Sequence, residues 1–348
     1  MKKNIKIMVV DDSIVFRKLL IDGLSKNDNF TVVGYAINAF DAKRKIDTLH
    51  PDVITLDVEM PGMSGIEFLK QLIPTKPIPV ILVSSLNLSV FDALSAGAID
   101  FVRKPDPEKS FSVNSFLTAL ASKIMVASTA KVGASIKSAP PVPIVAPTTR
   151  HSASSSRLDS TIIAIGASTG GTEATLQVLR DLPADTPGIV VTQHMPEGFT
   201  KMYADRLDRL CHMHVKEAVN GDPIVQGQVL IAPGNLQMEV VKTGTRFTVK
   251  CFTGEKVSGH MPSVDVLFTS MAKTAKNNAV GIIMTGMGRD GASGLLEMRK
   301  SGAYTIGQDK DSCVVYGMPM VAQEIGGVCI QAACNNIARV LQNHLNKL

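Results

Sequence analysis

One turn in the second half of the chain could make a nucleophile of a serine. Gly166-Ala167-Ser168-Thr169-Gly170 reads G-x-S-x-G. The apolar run "TIIAIG" (161–166) precedes it, and "TEATLQVLRDL" follows, with Leu176, Leu179 and Leu182 on one side of a helical pattern. A serine on such a strand-to-helix turn stands above the sheet edge, beside helix amides that can hold an oxyanion. Two other uses of a glycine-rich turn fit less well. In a dinucleotide loop Gly166 and Gly171 would fit the ends, but Ser168 crowds the pyrophosphate. A phosphate-binding P-loop fails because no Gly-Lys-Ser/Thr follows.

A serine needs a base, and the base an orienting carboxylate. Of the seven histidines, His194 ends the strand-like "GIVVTQ" and so shares a sheet edge with Ser168. His50, His151 and His344 fall elsewhere in the chain, and His212 and His214 read as surface residues. His260, in "SGHMPSVD", sits in a loop and is a candidate substrate contact. For the carboxylate, Asp290 lies in "MTGMGRDGASG" just beyond the run "AVGIIMT". Asp265, Asp309 and Asp311 remain alternatives, read as having no such strand in front.

The first third of the chain carries a different chemistry. Asp11 and Asp12 follow "IKIMVV", and Asp57 follows "DVITL". Clustered anions at the carboxyl edge of an open sheet repel one another and call for a cation. An all-oxygen set suits Mg²⁺, which also accepts a phosphate oxygen. Ser84 ends another strand with a hydroxyl, and Lys104 ends the last with a point charge for a phosphoryl oxygen.

The elements that must position these groups alternate in βα fashion. "IKIMVV", "DVITL", "PVILV" and "DFVRK" read as buried parallel strands, with "IVFRKLLIDGLS" helical between the first two. The expectation is a doubly wound parallel α/β domain over 1–125. Residues 126–157, rich in Pro, Ser and small side chains, read as a flexible linker. Residues 158–348 repeat the style with "TIIAIG", "GIVVTQ", "QVLIA" and "AVGIIMT". "TRFTVKCF" reads as antiparallel, so the second doubly wound sheet is expected to be mixed.

Bulk properties narrow the class. At 348 residues, 45% hydrophobic and net charge +5, the chain suits two soluble domains and neither demands nor excludes an anionic partner. Five cysteines without a C-x-x-C pair argue against zinc and a disulfide framework and for reduced thiols in a cytoplasm. The start "MKKNIKIMVVDDS" is too short for a signal peptide, and no stretch reaches membrane-span length.

With Pro105 after Lys104 and "MPGMSG" after Asp57, the first segment resembles the flavodoxin-like receiver domain of two-component response regulators. That resemblance implies Asp57 as phosphoryl acceptor, and Asp11, Asp12 and Asp57 as Mg²⁺ ligands. It implies Ser84 and Lys104 as readers of the phosphate, Phe101 as the switch aromatic, and a histidine kinase as phosphodonor. The stretch between Ser84 and Phe101 is shorter than receivers usually carry.

"GASTGG", "QHMP", "GHMPSVDVLF" and "MTGMGRDGA", in this order behind a receiver and linker, resemble the chemotaxis protein-glutamate methylesterase family (CheB). The family resemblance implies hydrolysis of glutamate methyl esters on methyl-accepting chemoreceptors, deamidation of receptor glutamines, and activation by phosphorylation. It implies Ser168 as nucleophile, His194 as base, Asp290 as orienting carboxylate, and Thr169 and Met287 near the oxyanion. No cofactor is expected for the esterase, and neither membrane insertion nor nucleic acid for the chain. A receiver-regulated esterase or amidase with a non-receptor substrate is the alternative. A DNA-binding output domain fits poorly, since no basic recognition helix follows the linker.

Overall fold

The computed structural model describes residues 4–85, 89–105, 113–132, 160–244 and 246–348. The chain divides into two compact units, Met1–Ser135 and Ile136–Leu348. Of the segment read as a linker, residues 133–157 lie outside the described residues, and the last helix of the first unit runs two residues past 125.

In the first unit β1 (Ile5–Val10), α1 (Ile14–Leu24), β2 (Phe30–Ala36) and α2 (Ala39–Leu49) come first. Then follow β3 (Val53–Asp57), α3 (Gly65–Thr75), β4 (Val80–Ser84), α4 (Ser89–Ser95), β5 (Asp100–Arg103) and α5 (Val113–Ala127). The sheet is parallel in the order β2-β1-β3-β4-β5. Right-handed crossovers then place α1 on the face opposite α2 to α4, and α1 packs with α5. Short polar residues begin the helices at the carboxyl edge. Ser13 accepts from Phe16 N–H, Asn38 from Asp41 N–H, and Ser64 forms a capping box with Glu67. Phe68, Phe91 and Phe116 are fully buried, each contributing about 1.5–3 kcal/mol. β2, which interrupts its apolar run with Gly34, was not evident as a strand. As the short spacing before Phe101 implies, α4 has only seven residues.

The second unit runs β6 (Ile162–Ala167), α6 (Gly171–Arg180), β7 (Ile189–Gln193), α7 (Phe199–Leu210), β8 (His214–Glu217) and β9 (Gln228–Ile231). A hairpin of β10 (Gln237–Thr243) and β11 (Arg246–Phe252) leads to α8 (Val264–Thr274). The chain continues through β12 (Ala279–Ile283), α9 (Ala292–Lys300), β13 (Tyr304–Gln308), α10 (Met318–Glu324), β14 (Ile330–Ala332) and α11 (Cys334–Leu345). Seven strands form one sheet, β14-β13-β12-β6-β7-β9-β8, and all of its pairings are parallel.

The α/β class is as expected, but the antiparallel strand stands outside the sheet rather than making it mixed. β10 and β11 bury Met238, Val240 and Val249 and expose Lys242, Thr243, Arg246 and Lys250. A ribbon wet on one side has no place in a sheet covered on both. It docks on α8 instead, where Val240 N–H donates to Ser270 Oγ at 2.9 Å and Thr274 Oγ1 to Val240 O at 3.1 Å. A second correction concerns Asp309, which does follow a strand. β13 reads "YTIGQ", too short and polar at its ends to stand out in the sequence.

Candidate active site

β6 lies between β12 and β7, at the point where the strand order of the second sheet reverses. Open α/β sheets keep their ligand crevice there, beyond the carboxyl ends. Ser168 follows β6, His194 follows β7, and Asp290 lies on the loop after β12.

The serine turn is held from both neighbours. Ser168 N–H donates to Thr285 O at 3.0 Å, Gly171 N–H to Ser168 O at 2.7 Å, and Gln193 Nε2 also to Ser168 O at 2.8 Å. Gly170, just before α6, has φ +77°, and a Cβ there would lie 2.7 Å from Val314 Cβ. The left-handed turn and the close approach together require glycine.

The three chemical groups meet. Ser168 Oγ lies 3.1 Å from His194 Nδ1, and His194 Nε2 lies 2.7 Å from Asp290 Oδ2. This is the reverse of the nitrogen assignment in chymotrypsin-type triads, with the same chain of partners. Asp290 is 1% exposed and accepts three further hydrogen bonds. Ser263 Oγ donates at 2.7 Å, Val264 N–H at 2.8 Å and Asp265 N–H at 3.0 Å. Burial alone would raise its carboxyl, but the bonds from His194, Ser263 and Val264 outweigh it and hold Asp290 below the ordinary value. An ionised carboxylate only accepts, so Nε2 carries the imidazole proton and Nδ1 turns a lone pair to Ser168 Oγ.

The other sequence candidates find distinct places. His260 stacks flat on His194, ring centroids 3.7 Å apart and planes 9° apart. Thr169 is buried, with its carbonyl accepting from Thr285 Oγ1 at 3.0 Å. Met287 is 49% exposed on the loop that brings Gly286 against Ser168, where an added Cβ would lie 2.7 Å from Ser168 Cβ. Asp265 accepts from Gly294 N–H, and Asp309 from Ser312 N–H and Oγ. Neither is a partner of His194 among the described residues.

Four supporting residues escaped the sequence reading: Gln193, Gln237, Ser263 and Thr285. Gln193 and Thr285 are polar residues closing apolar runs, a usable signal of a sheet edge. Gln237 and Ser263 gave no such signal. Gln237 donates to Glu255 O at 2.9 Å and accepts from Ser263 N–H at 2.8 Å, tying the hairpin to the loop that serves Asp290.

The first unit gathers its own charges at its switch point, between β1 and β3. Asp11, Asp12 and Asp57 offer ligand atoms within 4.8 Å of one another. Lys104 Nζ reaches Asp57 Oδ2 at 2.5 Å and Asp11 Oδ2 at 3.1 Å. Burial would lower the Lys104 ammonium, but Asp57 and Asp11 hold it above its ordinary value. Asp11 is raised, by burial first and by Asp57 second, against the pull of Lys104. Ser84 Oγ is fully buried and has no hydrogen-bond partner among the described residues. Phe101 is turned into the core.

Known proteins align with both units. Residues 7–112 match the response regulator receiver domain family, and 163–341 match the CheB methylesterase family. A protein-glutamate methylesterase/protein-glutamine glutaminase of Syntrophomonas wolfei is 51% identical over 346 residues, 99% of each chain. The protein of that name from Escherichia coli O157:H7 is 43% identical over 343 residues, 97% of this chain and 95% of its own. The crystal structure of the Thermotoga maritima CheB methylesterase catalytic domain covers 54% of this chain and 98% of its own, at 34% identity and TM-score 0.52. With a receiver ahead of a triad at the sheet's switch point, and this identity over nearly its full length, the chain belongs to the CheB methylesterase family.

Proposed function

We propose that the chain is a phosphorylation-activated serine hydrolase that removes methyl groups from glutamate esters, and deamidates glutamines, on chemoreceptors. The hydrogen-bonded line from Ser168 Oγ through His194 to Asp290 carries this reading. His194 Nδ1 takes the Ser168 proton as Oγ adds to the ester carbonyl. The positive charge this places on the imidazole faces the Asp290 carboxylate. The backbone at Thr169 and Met287 flanks the developing oxyanion, for which the start of α6 supplies positive potential. His194 returns the proton to the leaving oxygen, methanol departs, and an acyl-serine remains. Water then adds with the same proton relay and frees glutamate. An amide substrate follows the same course and releases ammonia.

In the receiver, Asp57 accepts the phosphoryl group from a histidine kinase. Asp11, Asp12 and Asp57 fit Mg²⁺, being a convergent all-oxygen set whose mutual repulsion Lys104 only partly offsets. Bound there, Mg²⁺ would neutralise charge on the phosphoryl oxygens. Ser84 Oγ, without a partner among the described residues, and Lys104 then hold the phosphate, with Phe101 as the responding aromatic. No helix among the described residues is long and apolar enough to cross a membrane. We place the enzyme in the cytoplasm, acting on the receptors' cytoplasmic helices.

Methanol release from methylated receptor fragments tests the nucleophile. Ser168→Ala is expected to lower kcat on the order of 10⁴-fold or more while the protein stays folded. Release at the wild-type rate would refute the assignment.

A further inference from the structure

We propose that His260 is a positioning residue for the catalytic imidazole rather than a group that binds substrate. The inference rests on Ser168, His194 and Asp290 being the reacting set. Both nitrogens of His194 are engaged, one by Ser168 and the other by Asp290. Two bonds at its two nitrogens leave the ring able to tilt about the line joining them. The parallel His260 ring, 3.7 Å away between centroids, covers one face and opposes that tilt.

The chain invests in keeping His260 there. Val257 and His260 exchange backbone hydrogen bonds, Val257 N–H to His260 O at 3.1 Å and His260 N–H to Val257 O at 2.9 Å. Between them Ser258 and Gly259 both have positive φ, 53° and 83°, the geometry of the tightest two-residue turn. Gln237, 2% exposed, donates to His260 O at 3.3 Å while its carbonyl oxygen accepts from Ser263 N–H. One buried amide thus sets the position of both the stacking ring and the serine that binds Asp290. Transfer of the Ser168 proton makes His194 cationic, and an aromatic face beside it stabilises that charge where an aliphatic side chain would not.

A small 4-nitrophenyl phosphonate ester, which phosphonylates Ser168 Oγ with loss of 4-nitrophenolate and needs no receptor contact, separates the two roles. Its second-order rate of reaction with Ser168 is expected to fall about threefold to tenfold in His260→Ala. In His260→Phe, which keeps a flat ring, the rate should recover to within about twofold. On methylated receptor fragments His260→Ala should lower kcat with little change in KM. Thermal melts identify folded variants, and His260→Asn replaces His260→Ala if the latter does not fold. An unchanged phosphonate rate with a raised KM would overturn the proposal in favour of substrate contact. Failure of His260→Phe to recover the rate would also overturn it. If Ser168→Ala still reacts with the phosphonate, the failure lies in the triad assignment, not in His260.

Discussion

Asp290 caps a helix while it orients a histidine. Its carboxylate takes the N–H groups of Val264 and Asp265 at the start of α8, and the Ser263 hydroxyl, at the position that would ordinarily cap that helix, donates to the same carboxylate. The positive end of α8 and three donors thus help keep the group ionised. Removing the Ser263 hydroxyl should cost about 1.5–3 kcal/mol, read by urea unfolding of Ser263→Ala. The pH dependence has a definite sign. The folded value of Asp290 lies below its ordinary 3.8, so its stabilisation is complete at neutral pH and is lost as pH falls below 3.8 through the depressed value. The stability gap between wild type and Asp290→Asn should therefore close as pH falls below 3.8. A gap that widened in acid would contradict this. Asp290 itself was legible in the sequence, because it stands in a glycine-rich loop behind an apolar run. Its partners at 263–265 were not, since nothing in the residue pattern announces a helix N-terminus docked from elsewhere in the chain.

Strands and turns set the distances that the chemistry needs. The triad converges because β6 has β7 on one side and β12 on the other, so three consecutive crests of one edge carry the three groups. That convergence could be inferred from three apolar runs, each with one of the three groups just beyond it. Strands such as β8 (HVKE), β13 (YTIGQ) and β14 (IQA) could not, for polar residues or glycine break them and they form no apolar run. Nor does a pattern of alternation say whether a strand joins the main sheet, and β11 was misplaced for that reason. Two substitutions test the elbow. Gly170→Ala forces a Cβ into the left-handed region and against Val314, so it should destabilise by at least about 1 kcal/mol and lower kcat. Thr285→Val keeps the shape but leaves Thr169 O and Val315 N–H without the hydroxyl that serves both. A loss of about 1–3 kcal/mol is expected, with kcat affected more than KM. Thermal melts and methanol-release kinetics read both.

Two switch points, one in each unit, gather the groups to which the two proposed chemistries are assigned. The first gathers Asp11, Asp12, Asp57 and Lys104; the second gathers Ser168, His194 and Asp290. Residue types alone pointed to a cation site in the first and a nucleophile in the second; the assignment of phosphoryl transfer to one and ester hydrolysis to the other came with the family resemblances. In the proposed function phosphorylation joins them, the first site setting how fast the second turns over. Methanol release by wild type and Asp57→Asn, each with and without a small-molecule phosphodonor and Mg²⁺, tests this most directly. The phosphodonor should raise the wild-type rate and leave the Asp57→Asn rate where it was. Equal stimulation of both proteins, or none of the wild type once Asp57 is shown to carry phosphate, would contradict a phosphorylation-gated esterase.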